Sequence, residues 1–278
     1  MRGLRIELPG IDDYFDHVQL WLATPLEPAQ IQRLAHLCVG KAVHVSDRPM
    51  RFQPSWRQRL QLKQPTVAAC RMLEKIGGPV KINHVELARD SAYSGNGYTI
   101  NDRDDAFEAL SGSWVRKWHR KQHGLRFAGE GNVTRYDAPR TASTLTTMYE
   151  QDHCRTTGEL NCLHLEWRVS TARACRSLGI VTLQDLIDFD HKAFWQAKLE
   201  HVYAVDSERL GRLLRNRRRR TRSQSAKVVR WSPNIRVNVD GRTGHVIVSG
   251  CGSVQGVVDM LGFATIKHAL RRVDVGLG

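Results

Sequence analysis

Two segments, Lys81–Asp90 (KINHVELARD) and Asn161–Ser170 (NCLHLEWRVS), each set a histidine, one apolar residue and a glutamate into an alternating run. Successive side chains on a strand point to opposite faces, so this period of two makes each segment a strand with two unlike sides. His84, Glu86, Ala88 and Asp90 fall on one side of the first, with Val85 and Leu87 on the other. In the second, Cys162, His164, Glu166 and Arg168 share a side, while Leu163, Leu165, Trp167 and Val169 supply the apolar back that a core requires. The chain is thereby confined to a sheet with one packed face and one polar face. If the two strands are neighbours, their carboxylates and imidazoles converge, and such acids repel unless a cation sits among them. Carboxylate-rich sites suit Mg²⁺ or Mn²⁺, and imidazole tilts the choice towards Mn²⁺ or another transition metal. A merely solvated strand face accounts for the same letters.

The rest of the chain supplies the partners of such a sheet. YFDHVQLWL (14–22) alternates as a strand, and EPAQIQRLAHLCVGK carries Ile31, Leu34, Ala35 and Leu37 at helical spacing with Gly40 as a stop. WRQRLQLKQ (56–64) alternates again, and PTVAACRMLEKIGG, opened by Pro65 and closed by glycines, predicts a helix before the strand at 80–90. Residues 101–118 begin with Asn101 and several acids and end basic, which predicts a helix. From about 125 to 170 the pattern turns to strands, followed by three short helices, TARACRSLGI, TLQDLIDFD and HKAFWQAKLEHVY. Beyond them come an arginine run, a hairpin around Asp240-Gly241 and a last helix from about 254 to 272. The expected class is α+β: an antiparallel or mixed central sheet with helices packed on it, plus a small basic C-terminal extension. The expected domains are 1–205 and 206–278.

Charge identifies the partner class. Forty-two Lys and Arg against 28 Asp and Glu give +14, and a polyanion, in particular nucleic acid, answers such a balance. The run RNRRRRTRSQ places Arg215, Arg217, Arg218, Arg219, Arg220 and Arg222 where guanidinium groups can pair with phosphates and release counterions. RKWHRKQH (116–123) adds Lys117, Arg120 and Lys121 beside Trp114 and Trp118, a mixture that single-strand binders use and that core tryptophans also produce. No stretch approaches the roughly 18 apolar residues of a membrane span, and the N-terminus lacks the apolar centre of a secretory signal, so a soluble cytoplasmic protein without a membrane partner is expected. The six cysteines form no C-x-x-C, and reduced thiols are the expectation. There is no P-loop G-x-x-x-x-G-K-[ST].

INHVELARD resembles the V-x-R-[VI]-[DE]-L-A-x-D strand of rolling-circle replication initiators of the Rep_trans type. TTMYEQDHCRTTGELNCLHLEWRVSTARACRSLGIVTLQDLIDFDHKAFW is similar to inovirus-type phage and plasmid initiators, with TGELNCLHLEWR its most specific part. The similarity covers roughly residues 80–200. Members of that family nick one DNA strand through a tyrosine, stay attached to the 5′ phosphate and leave a 3′ hydroxyl that primes synthesis. The resemblance implies that Glu86, Asp90 and Glu166 are metal ligands with His84 and His164 auxiliary, and that Mn²⁺ or Mg²⁺ is the cofactor. Single-stranded or hairpin origin DNA is then the substrate, a host helicase and polymerase are partners, and a homodimer is left open. The family's tyrosine strand, Y-x-G-x-R-x-S, best matches TRYDAPRTAS, which makes Tyr136 the nucleophile; Asp137 to Arg140 depart from that pattern, and Tyr149 in MYEQD is the alternative.

The chemistry is coherent on its own terms. A phenol of pKa about 10 is a poor nucleophile at neutral pH and needs a base or a metal to favour phenolate. Arg168, on the side of Glu166, could offset charge growing on phosphate oxygens, or could be simply ion-paired or solvated. The competing expectation is a non-catalytic DNA-binding regulator of a phage or plasmid, in which the acidic strand face is incidental.

Overall fold

The computed structural model describes residues 5–113, 124–127, 133–136, 142–200, 203–205, 230–232, 235–239, 246–249 and 270–277. The chain forms two compact units, Pro9–Ile100 with Gly124–Trp195, and Met1–Leu8 with Asn101–His123 and Gln196–Gly278. With β1 (Arg5–Leu8) in the second of these, the strands of the first are β2 (Ile11–Leu22), β3 (Val43–Ser46), β4 (Gln58–Lys63), β5 (Val80–Ala92), β6 (Gly124–Phe127), β7 (Val133–Tyr136), β8 (Thr144–His153) and β9 (Leu160–Val169). They make one eight-stranded sheet in the order β3-β4-β2-β5-β9-β8-β7-β6. Every pairing in it is antiparallel. The α+β class expected from the alternating segments is the observed one.

The strands alternate as their sequences do. Val18, Leu20, Leu60, Leu62, Val85, Leu87, Leu163 and Leu165 are fully buried on one face. Each such side chain contributes about 1.5–3 kcal/mol by leaving water. The helices of this unit are α1 (Pro28–His36), α2 (Val67–Ile76), α4 (Ala172–Ser177) and α5 (Leu183–Ile187), and α6 (His191–Leu199) begins in it. Phe194 of α6 meets Trp167 edge-on at 5.9 Å, and Phe189 lies 5.4 Å from Phe15, so this segment covers the apolar face. Arg89 enters the same face fully buried, paired through Nε and Nη2 with both carboxylate oxygens of Asp13 at 2.7 and 2.6 Å. α2 and α5 start where Thr66 and Thr182 accept the backbone N–H three residues on, the usual repair of a helix's free first-turn donors. α4 ends as expected at Gly179, whose φ of 80° a residue with a side chain would resist.

The other unit contains α3 (Ile100–Ser113), for the most part, and short strands. β10 (Tyr203–Val205) pairs with β14 (Leu270–Arg272), β11 (Arg230–Ser232), β12 (Ile235–Val239) and β13 (Val246–Ser249) form a small sheet, and β1 runs parallel to β15 (Asp274–Leu277). β12 and β13 are the strands of the hairpin expected around Asp240-Gly241, whose turn lies outside the described residues. The helix expected to reach 272 does not do so: Leu270–Arg272 is strand, its backbone groups satisfied by Tyr203–Val205, and 254–269 lie outside the described residues. Among the described residues no helix is long and apolar enough to cross a membrane. Cys38, Cys70, Cys154, Cys162 and Cys175 are buried and unbridged.

Candidate functional site

β5 and β9 are neighbours, and their register sets Glu86 opposite Arg168, Ala88 opposite Glu166 and Asp90 opposite His164. Side chains opposite one another in an antiparallel pair share a face, so the two polar sides form one surface. β2 and β8 extend it on either side. Asp12, Asp90, His164 and Tyr149 make one row across the strands; Tyr14, Ala88, Glu166 and Thr147 make the next; His17, Glu86 and Arg168 a third. By backbone register Tyr136 of β7 stands opposite Thr147, in the row of Glu166.

This surface is not the solvated strand face that alternation alone suggests. Asp90 and His164 are fully buried and Glu166 is 4% exposed. Buried charges need partners, and each carboxylate has them. Asp90 accepts from His164 Nδ1 at 2.6 Å, the Arg155 backbone N–H at 2.9 Å and the Tyr14 hydroxyl at 3.1 Å. Glu86 meets His17 Nδ1 at 2.7 Å, His84 Nε2 at 3.0 Å and Arg168 Nε at 2.6 Å. Arg168 also reaches Glu166 Oε1 through Nη2 at 2.8 Å. The mutual repulsion that alternation predicts for Glu86 and Glu166 is therefore relieved by a guanidinium of the same face.

The titration of these groups follows from their surroundings. Burial would raise Glu86, but hydrogen bonds with His17 and His84 and the charge of Arg168 hold it well below the carboxylate range. Asp16 is buried too, yet the hydrogen bonds of His17 and Arg155 keep it low. Asp90 is likewise depressed against burial, chiefly by His164. His17, hydrogen-bonded to Asp16 and Glu86, is pushed up to about 9. Burial pushes both Tyr14 and Tyr149 above the ordinary phenol value, with Asp90 and Asp16 adding to the shift in Tyr14. Neither is phenolate at neutral pH without a proton acceptor.

Alternation does not reveal two members of the site. His17 is one. The β2–β5 register shifts between Phe15 and His17, a bulge that inserts Asp16 and turns His17 onto the face of Glu86; bulges re-aim side chains in this way. Arg155, in the loop between β8 and β9, is the other. Its guanidinium binds Asp16 and donates to the Tyr149 hydroxyl at 2.6 Å, and Thr156 beside it binds Asp12. The signal in the sequence is the run DDYFDH, whose polar letters are too frequent for a strand with an ordinary solvent face.

Two groupings of potential ligands occur among the described residues, Asp90 with Cys154 and Cys162, and Asp16 with His17 and Glu86, the atoms of each within 4.8 Å of one another. Next to them His164 is tied by Nδ1 to Asp90, leaving Nε2 buried without a hydrogen-bond partner, 3.8 Å from Glu166 Oε2. A carboxylate that orients an imidazole and leaves its other nitrogen bare is the arrangement of metal-binding histidines, so the residues fit such an ion. The ligand set Glu86, Asp90 and Glu166 expected from the sequence is brought onto one surface, with Asp90 as the orienting carboxylate of His164. Arg215, Arg217, Arg218, Arg219, Arg220, Arg222, Lys117, Arg120 and Lys121 lie outside the described residues.

No protein-family profile matches the chain, and no curated protein does. Among solved structures, the chain is similar to a rolling circle replication initiator protein from Geobacillus stearothermophilus, at 12% identity and a TM-score of 0.37, over 74% of this chain and 85% of that one. A likeness so distant transfers neither residues nor chemistry.

Proposed function

We propose that this protein initiates rolling-circle replication by nicking and rejoining single-stranded origin DNA through a tyrosine. The observation that carries the reading is the convergence of Glu86, Asp90, Glu166 and His164 from two adjacent strands beside the Tyr149 ring, whose centroid is 4.6 Å from that of His164. In the proposed step a phenolic oxygen attacks the scissile phosphorus. The new phosphotyrosine bond replaces the bond to the 3′ oxygen, and the phenol's proton passes by way of a carboxylate of the cluster to that departing 3′ oxygen, which leaves as a hydroxyl. Tyr136 is the proposed nucleophile, from its row beside Glu166, and Tyr149 the alternative. Arg168 offers its guanidinium to the phosphate oxygens. Asp16, Glu86, His164 and Glu166 are the residues that would hold Mn²⁺ or Mg²⁺, with His84 in support and His17 released from its carboxylates. Such an ion, when bound, neutralises charge on the phosphate. The protein acts in the cytoplasm, its basic 206–278 region gripping phosphates, with host helicase and polymerase completing replication.

A second reading, a non-catalytic DNA-binding regulator of a phage or plasmid, is favoured by the pairing of each acid with an Arg or His of the chain itself. One experiment separates the two. Purified protein, Mn²⁺ and an origin oligonucleotide should give a protease-sensitive covalent adduct that Tyr136→Phe abolishes. An adduct that survives in that variant and disappears in Tyr149→Phe moves the nucleophile to Tyr149. Binding without an adduct under any divalent metal establishes the regulator instead.

A further inference from the structure

The polar face of the sheet continues away from the acidic cluster into a region of opposite charge. Along β2 the row Lys63, His17 and Glu86 gives way four residues later to Arg59, Trp21 and Lys81, about 13 Å on at the usual strand rise. Beyond it lies the loop between β3 and β4. From residue 48 to 73 the sequence has no Asp or Glu. Arg48, Arg51, Arg57 and Arg59 are exposed there, and among the described residues none pairs with a carboxylate.

Within that loop Phe52 is 84% exposed, the most exposed of the large apolar side chains described. A lone surface Phe needs no explanation, but this one is displayed. The loop holds its shape by backbone hydrogen bonds from Met50 to Trp56 and from Gln53 to Met50, at 3.0 and 3.1 Å. Lys81 Nζ anchors it from β5, donating to Gln53 Oε1 at 2.6 Å while lying 5.9 Å from the Trp56 ring centroid. Arg51 lies 5.1 Å from the Phe52 ring centroid, so a guanidinium accompanies the open aromatic face. The loop's hydrogen bonds thus hold outward a largely exposed ring and cations without carboxylate partners.

We infer that the β3–β4 loop, with Arg59, Trp21 and Lys81 beside it, is a docking surface for single-stranded DNA. Its charge asks for a polyanion, and an exposed ring asks for an unpaired base to stack on, which a duplex keeps inside its own stack. The inference deepens the replication reading by naming where the strand lies on leaving the acidic cluster, and rests on it for the choice of DNA.

The test is fluorescence anisotropy of the full chain with labelled oligo-dT across a salt series. Phe52→Ala, a surface change that leaves the core intact, should weaken binding about tenfold with an unchanged salt slope, since stacking is lost and no phosphate contact is. Arg51→Ala with Arg59→Ala should lower the slope of log K against log salt by about 1.4, two phosphate contacts at about 0.7 each. Arg173→Ala with Arg176→Ala, exposed on α4, is the charge-matched control and should leave that slope nearer the unaltered value. The inference is overturned if Phe52→Ala binds as the unaltered protein does, if the control pair lowers the slope as far as the loop pair, or if oligo-rU binds more tightly than oligo-dT. A covalent adduct in a protein whose Phe52→Ala variant binds normally removes the surface and keeps the nicking reading. Loss of oligo-dT binding in that variant without any adduct does the reverse.

Discussion

Asp90→Asn isolates the charge at the centre of the cluster. The carboxylate is fully buried and accepts from three donors, on His164, Arg155 and Tyr14. Asparagine keeps the volume, but turns one acceptor oxygen into a donor facing donors and removes the anion opposite His164. Leaving one member of a buried ion pair unmatched costs about 3–5 kcal/mol; His164 can release its proton and recover part of that, so a loss of about 2–4 kcal/mol is expected. The pH dependence has a definite sign. Asp90 is depressed from 3.8, so its contribution is present above that value and lost as pH falls through the lower folded value. His164 is raised from 6.5, so its contribution is present below that value and lost as pH rises through the higher folded one. Both act in full between roughly pH 4 and 6.5. Urea unfolding in a chelating buffer should therefore show the largest gap between variant and unaltered protein near pH 5.5, narrowing towards alkaline pH. A gap under about 1 kcal/mol at pH 5.5, or one that widens as pH rises, would refute the buried pair as a stabilising element.

Arg168→Met leaves Glu86 and Glu166 facing each other without their shared guanidinium, and should cost about 2 kcal/mol, less than a fully buried pair because the arginine is partly open to water. If a divalent ion can take that place, millimolar Mn²⁺ should raise the thermal midpoint of this variant more than that of the unaltered protein; equal shifts in a thermal melt would show that it cannot. Thr182→Ala breaks the capping box in which Asp185 N–H donates to Thr182 Oγ1 at 3.2 Å and Thr182 N–H to Asp185 Oδ2 at 2.7 Å. A loss of about 1 kcal/mol is expected in urea unfolding, with Thr182→Ser restoring most of it.

The adjacency of β5 and β9 was legible because both segments carry the same division into an apolar and a polar side, and a one-residue slip would put Leu87 or Leu165 in the wrong layer. Helix starts were legible at Pro65, one residue before the Thr66 cap, and at Thr182. Three things were not, each for a physical reason. β3 is four residues at the sheet's edge, too short to show a period. The pairing of β1 with β15 joins opposite ends of the chain, and a parallel contact at that separation leaves no local mark. Residues 270–272 read as the end of an apolar helix because nothing in them announces the partner strand at 203–205.

The candidate site shows the same limit at its most consequential point. Strict alternation along β2 groups Asp12, Tyr14 and Asp16 on one side and sends His17 to the other, into the core with Phe15. A charged imidazole there would have no partner, and the chain resolves the conflict by slipping one residue, so that Phe15 still pairs with Leu87 while His17 pairs with Glu86. The slip has an electrostatic reason as well as a steric one. It delivers a cation between Asp16 and Glu86, as Arg168 does between Glu86 and Glu166 and Arg155 does at Asp16. An acidic surface that balances itself this way stays folded with or without an ion. What an ion or a phosphate would then have to do is displace His17 or Arg168 from a carboxylate rather than fill an unbalanced hole.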